Sequence, residues 1–475
     1  MKSGGGRDSF FARLACDRMW MVGSSFHSTL LCTPKHNLSS TLLHIVGWHL
    51  PHLAANSPHI EIAAVVDSAL KPVSTLSSSP LLSIDELSKK YHCPCYTSVS
   101  QMLEDVGPTL DGVIIATSHA SHFEVGVSLL NEGIRRRRMA ETENDGGQGD
   151  GKIRALNILM EKPMTTDVNE ARRLWEMSAK GYPEGAFIIN HTASYRLQTQ
   201  VARQIIASNQ IGKIRHISAQ MNGPLMWLFN DPSNHSWVSK TPWKNPTSSE
   251  EEKEAPDDRS PLPGNGYAYG QIAHLIAWIY AVLGAGQKSA AEEIAVPTKV
   301  YCNMSHAPKT GADISFAAVI TCCDGVTFAL SGTALLPGSQ YADPPIGKHI
   351  NIELYGEKGS LIYGGDDKIP GSGRLQLRRS EVGKNCQPEY PCSDQDWTGR
   401  LEEPASELKD GFYFEDGEQE GIGPGSLKAF LDACRTSCTG KKAPRNDSFI
   451  GLRTVQILDA MYRSSLSGNA EEIDV

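Results

Sequence analysis

A lysine lies between a glutamate and a proline in Glu161-Lys162-Pro163, directly after the apolar run Asn157 to Met160. In an open α/β sheet, the space just past the C-terminal ends of the strands is where ligands bind. Proline biases the residue before it towards an extended backbone. An ammonium held there can donate to a substrate hydroxyl and stabilise the alkoxide that forms as hydride leaves. For the tripeptide alone, an exposed loop lysine is the commoner explanation. A histidine offers the complementary chemistry. The glycine-rich segment Gly264–His274 opens an apolar helix running to Leu283. An imidazole in the first turn of such a helix has its pKa lowered by the positive helix end, which suits a general base near neutrality. The same ring also reads as an ordinary core histidine. Asp67 is the third candidate, closing the run Ile60 to Asp67. An acid ending the second strand of a dinucleotide fold accepts hydrogen bonds from both ribose hydroxyls and repels a 2′-phosphate, favouring NAD over NADP. A helix-capping aspartate is the equally simple alternative.

These groups need elements to position them. Ile60 to Asp67, Asp111 to Thr117, Asn157 to Met160 and Ala186 to Asn190 read as short strands. Between them, Ser83 to Tyr91 and His122 to Asn131 read as helices. Asp167 with Glu170 has capping-box spacing, and Ala171, Leu174, Trp175 and Ser178 then line one helix face. The alternation predicts a parallel, doubly wound sheet. After Asn190 the period changes. Val326, Phe328 and Leu330 alternate with small or polar residues after Asp324-Gly325, and Ile350, Ile352 and Leu354 repeat the pattern, as do Leu375 and Leu377. A last helix spans about 447–465.

The expected architecture is α/β: an N-terminal doubly wound half, then a C-terminal α+β half with a large, mostly antiparallel open sheet. Residues 1–18 form a tail, 19–191 the first domain and 192–475 the second. Insertions are expected at about 24–44 and 135–155, and surface loops at about 247–263 and 402–425. The run Arg135–Arg138 then belongs to a solvated basic loop in preference to an anion site.

One dinucleotide feature is missing: no G-x-G-x-x-G follows an early strand. Gly23, after Val22, suits the strand end of a phosphate loop, and Gly47 suits the start of its helix, with the segment between them inserted or replaced.

Composition narrows the function classes. A formal net charge of −9 argues against a general nucleic-acid binder. Eleven scattered cysteines read as reduced intracellular thiols, and none has the spacing of a zinc site, so no metal is expected. The longest apolar run, Ile272 to Leu283, is far short of the roughly 20 residues that cross a bilayer. With no convincing leader, a cytoplasmic protein is expected.

In order along the chain, these segments resemble the Gfo/Idh/MocA family, the glucose–fructose oxidoreductase and inositol dehydrogenase relatives. The resemblance rests on Trp48 to Asp67, Ile115 to His122, Leu159 to Met164, Asn190 to Gly212, Trp243-Lys244, Gly264–His274, Leu354 to Ser360 and the C-terminal helix. It implies a Rossmann-type first domain and catalysis by Lys162 and His274. It also implies that Thr117, Ser118, His122 and Glu161 lie near the nicotinamide, and that Asn190, Trp243, Lys244 and Gln271 face the substrate. The implied reaction is hydride transfer between a sugar- or polyol-like carbinol and NAD or NADP, in a homo-oligomer built through the second-half sheet. Many relatives place an aspartate four residues before the histidine; here that position is Gly270. Two other readings stay open: a relative that uses NAD transiently to cleave a glycosidic bond, and a catalytically degenerate binding or regulatory protein.

Overall fold

The structure is a computed structural model that describes residues 17–23, 49–55, 60–71, 81–145, 155–232, 266–286, 293–339, 342–366, 374–379, 395–396, 425–438 and 446–475. Gly47, Trp243, Lys244 and the segments at 24–44, 247–263 and 402–424 lie outside these residues.

The first half is built on strands β1 (Asp17–Gly23), β2 (Ile60–Asp67), β3 (Cys95–Tyr96), β4 (Gly112–Ile115), β5 (Asn157–Met160) and β6 (Phe187–Ile189). They form one six-stranded sheet in the order β3-β2-β1-β4-β5-β6, and every described pairing in it is parallel. That order, reversing beside β1, is the doubly wound dinucleotide topology, with its ligand crevice at the strands' C-terminal ends. The strands are near-continuous apolar runs because helices cover both faces. β4, β5 and β6 are buried throughout.

Helices α1 (Leu50–Ala55), α2 (Ile84–Tyr91), α3 (Val99–Val106), α4 (His122–Asp145) and α5 (Val168–Glu176) accompany these strands. The starts of α2 and α5 follow from local chemistry. Ser83 and Glu86 form a complete capping box at α2. The Asp167 carboxylate caps α5 by accepting from the amides of Asn169 and Glu170 at 2.8 and 3.0 Å.

One expectation is overturned here. Residues 135–145 are not a loop: α4 continues through all four arginines to Asp145. Arg136 is buried and holds the preceding segment. It donates to the Glu132 carboxylate at 3.0 Å, to Leu110 O at 2.7 Å and to Gly107 O. Sequence shows a run of charge but cannot show carbonyls converging on one member of it. Glu132 keeps Arg135 as a partner at 2.7 Å when Arg136 is removed, so the loss falls on the two carbonyls. Arg136→Met should therefore destabilise the protein by about 1–3 kcal/mol, read as a lower urea midpoint at an unchanged slope. An unchanged midpoint would show that water replaces the guanidinium at no cost.

The second half begins with α6 (Leu197–Ala207), β7 (Ile214–Asn222) and α7 (Met226–Phe229). After them come α8 (Ala273–Leu283), β8 (Pro297–His306), β9 (Asp313–Cys322), β10 (Thr327–Thr333), β11 (His349–Gly356), β12 (Gly359–Asp366), β13 (Arg374–Arg379) and β14 (Gln395–Asp396). The described chain ends with α9 (Gly425–Cys438), α10 (Ser448–Ser467) and β15 (Glu471–Glu472). Among the described residues the strands form a nine-stranded sheet, β14-β13-β12-β11-β7-β10-β9-β8-β15. Its described pairings are antiparallel except β7 with β10.

The β9–β10 hairpin turns at Gly325, whose φ of 78° is the left-handed conformation the Asp-Gly signal predicts. α8 is buried on every side, so it is a core helix covering the inner face of the sheet. Trp278 stacks on Tyr363 of β12 with ring centroids 4.6 Å apart and donates to Thr199 Oγ1 of α6 at 2.8 Å. α10 packs against both α5 and β8, tying the two sheets into one body. No described helix is long and apolar enough to cross a membrane.

Candidate active site

The parallel sheet places the predicted groups along one edge. Gly23 closes β1 and pairs in register with Asp67, which closes β2. Thr117 and Ser118 follow β4, Glu161 and Lys162 follow β5, and Asn190 and His191 follow β6. Five strand ends thus present chemistry to the same crevice.

At the β1–β2 end, Asp67 is buried, and its carboxylate accepts from Ala69 N at 2.8 Å. Burial outweighs that bond and raises the carboxyl to about 7. A carboxylate held this far from water beside the end of β1 is a competent acceptor for a diol, and it favours ionisation once donors arrive.

At the other end, Lys162 is 7 % exposed and its ammonium donates to Gly270 O at 2.6 Å. Burial lowers its pKa to about 8; Glu161 pulls it up and Lys348 pulls it down. Gly270 belongs to a π-helical turn, Ala268–Ile272, that leads into α8. Such turns are rare and concentrate at functional sites. Asp313 on β9 holds this turn, its buried carboxylate accepting from Ala268 N at 2.8 Å and from the Tyr462 hydroxyl. Gly266 makes the approach possible, since a Cβ there would lie 1.7 Å from Asp313 Oδ1. Tyr269 within the turn stacks on Tyr462 at 5.4 Å.

His274 follows the turn and is buried. Its pKa lies well below the ordinary value, through burial first and then through the nearby positive charge of Lys162. The helix-end explanation therefore does not hold: the π turn comes first, so His274 sits beyond the first helical turn. The shift also passes the near-neutral range a free general base needs. Gln271 is buried in the same turn.

Several expected contact residues are engaged within the protein. Asn190 donates to Glu161 Oε1 at 2.6 Å and accepts from the Ser426 hydroxyl of α9. Its amide is thus used to position Glu161. His122 is fully buried, with Nδ1 2.8 Å from Pro163 O and Nε2 3.2 Å from Thr117 O. It braces the β4 and β5 loops against each other and does not line an open face. Thr117 Oγ1 donates to Ser118 O at 3.3 Å, and the Ser118 and Ser121 hydroxyls lie 3.2 Å apart.

Four residues escaped the sequence reading. His49, at the start of α1, is fully buried and places Nε2 3.0 Å from Glu161 Oε1. His191 meets the ring of His274 edge to face at 6.1 Å. Lys348, just before β11, acts electrostatically on both Lys162 and His274. Ser426 anchors Asn190. Each makes its contact far along the chain, so no local spacing marks it.

Comparison with known proteins agrees with this architecture. Residues 199–362 match the model of the GFO/IDH/MocA C-terminal domain. No curated protein matches the chain. Among solved structures, the WlbA dehydrogenase from Bordetella pertussis, in complex with NADH and UDP-GlcNAcA, superposes with a TM-score of 0.58 at 15 % identity, covering 97 % of this chain and 98 % of that one. A levoglucosan dehydrogenase in complex with NADH and levoglucosan gives 0.57 at 14 %, covering 96 % and 99 %. The myo-inositol 2-dehydrogenase from Lactobacillus plantarum gives 0.56 at 15 %, covering 97 % and 100 %. At these identities the likeness shows the fold.

Proposed function

We propose that the chain, whose residues 199–362 match the GFO/IDH/MocA C-terminal domain, is a member of that family and an NAD-dependent dehydrogenase acting on a sugar- or polyol-like carbinol. The observation that carries this reading is the meeting of Lys162, from the end of β5, with the π turn and His274 at the start of α8. The two sheets converge on one buried ammonium and one buried imidazole. Relatives of the same fold solved with NADH and with sugar ligands support the cofactor and the substrate class.

The residues present suit a dinucleotide. Asp67 would hold the adenosine ribose, and Glu161, fixed by His49 and Asn190, would face the nicotinamide ribose. Thr117 and Ser118 would border the ring. A bound nicotinamide supplies the hydride acceptor. The chain's own part is to orient the carbinol and manage its proton. Lys162, mostly charged at neutral pH, donates to the substrate oxygen and stabilises developing negative charge. His274 stays neutral beside that charge and accepts the hydroxyl hydrogen. Burial first, and then the ammonium's charge, disfavour protonation of both His274 and His191, so the positive charge stays on Lys162. Gln271 would complete the substrate contacts.

A second copy of the chain would pack on the outer face of the nine-stranded sheet. Tyr301 and Val319 oppose each other there on β8 and β9, both about half exposed.

Titration of the purified protein with NADH and NADPH, followed by reduced-nicotinamide fluorescence, tests the reading. Saturable binding, tighter for NADH, is the expected result. No binding to either in folded protein would overturn it. The absent G-x-G-x-x-G would then favour a non-catalytic family member.

A further inference from the structure

His191 follows Asn190 at the crevice end of β6 and is 2 % exposed. Its backbone amide donates to Ile189 O at 2.7 Å, whereas its ring Nε2 is buried without a hydrogen-bond partner among the described residues. Buried polar atoms of native proteins are almost always paired. A ring nitrogen left open beside Lys162 and His274 is therefore a seat for a polar atom from outside the chain. The rings of His191 and His274 pack edge to face, nearly perpendicular at 84° with centroids 6.1 Å apart, so the two imidazoles lie in different planes.

We propose that His191 is a second substrate-contacting imidazole that binds the hydroxyl beside the reacting one, so that the site selects vicinal diols. This rests on Lys162 and His274 being the reacting pair. A hydroxyl both donates and accepts, and so satisfies Nε2 in either tautomer. Burial first, and then the Lys162 charge, hold His191 down at about 3, with Glu161 opposing. The ring therefore stays neutral across the working range and recognises a hydroxyl without exchanging a proton with it. A site that must pair a buried polar atom with a substrate hydroxyl rejects the analogue lacking that group.

The test uses the full chain with NAD⁺ and a panel of polyols and sugars, each beside the analogue deoxygenated at the neighbouring carbon. The wild type should favour the diol by about 100-fold in kcat/KM. His191→Phe should bring that ratio close to one while NADH affinity, read by fluorescence, stays within about twofold. His191→Gln, which keeps a donor and an acceptor, should recover part of the preference. An undiminished preference in His191→Phe overturns the proposal, as does a wild type that oxidises diol and deoxy analogue equally. Tight NADH binding with no oxidation of any panel member would instead overturn the assignment of Lys162 and His274, and this inference with it.

Discussion

Replacing Lys162 by alanine should lower kcat by about 10³-fold, the upper range for removing one donor to a developing oxyanion. NADH affinity should stay within about twofold. The split follows from geometry: Lys162 points across to Gly270 on the second half, whereas the acids assigned to cofactor riboses are Asp67 and Glu161 on the first. Lys162→Arg should be nearly as poor, because a planar guanidinium cannot reproduce a compact point charge in so tight a place. The pH profile carries the same assignment. The charged ammonium is the active form, so activity should be full below about 8 and fall as pH rises through it. Equal turnover of a confirmed substrate by wild type and Lys162→Ala would remove the lysine from the mechanism.

How much of this was legible in sequence depends on whether a feature is local. The parallel strands were, because each is a short apolar run ending in a polar residue, and β2 and β5 match their predicted spans at both ends. So were the helix starts at Ser83 and Asp167, where one side chain caps amides two or three residues on.

Non-local features were hidden. The π turn carries Gly270, and its shape depends on Asp313, which arrives from β9. His49 acquires its partner 112 residues away. The Arg135–Arg138 run was misread because charge density is a compositional signal, while burial of Arg136 depends on carbonyls at Gly107 and Leu110. The reason for the lowered His274 pKa was hidden too: a helix end is visible in sequence, and a buried lysine beside it is not.

Asp67 gives the second large effect, and its sign can be worked out in advance. In the free protein burial raises its carboxyl to about 7. Two ribose hydroxyls would donate to the ionised form, so cofactor binding must expel any proton the carboxyl holds. NADH affinity should therefore be flat above about pH 7 and weaken below it, by up to about tenfold per pH unit. NADH is the right probe because its nicotinamide is neutral and couples weakly to Lys162, which changes charge nearer 8. Asp67→Asn should abolish the pH dependence and weaken NADH by about 10²-fold, the cost of exchanging two charge-assisted hydrogen bonds for neutral ones. NADPH should lose far less in the same variant, since the substitution also removes repulsion of the 2′-phosphate. An Asp67→Asn protein that keeps the wild-type pH dependence would place the titrating group elsewhere. One that weakens both cofactors equally would confine Asp67 to bracing the turn after β2 through Ala69.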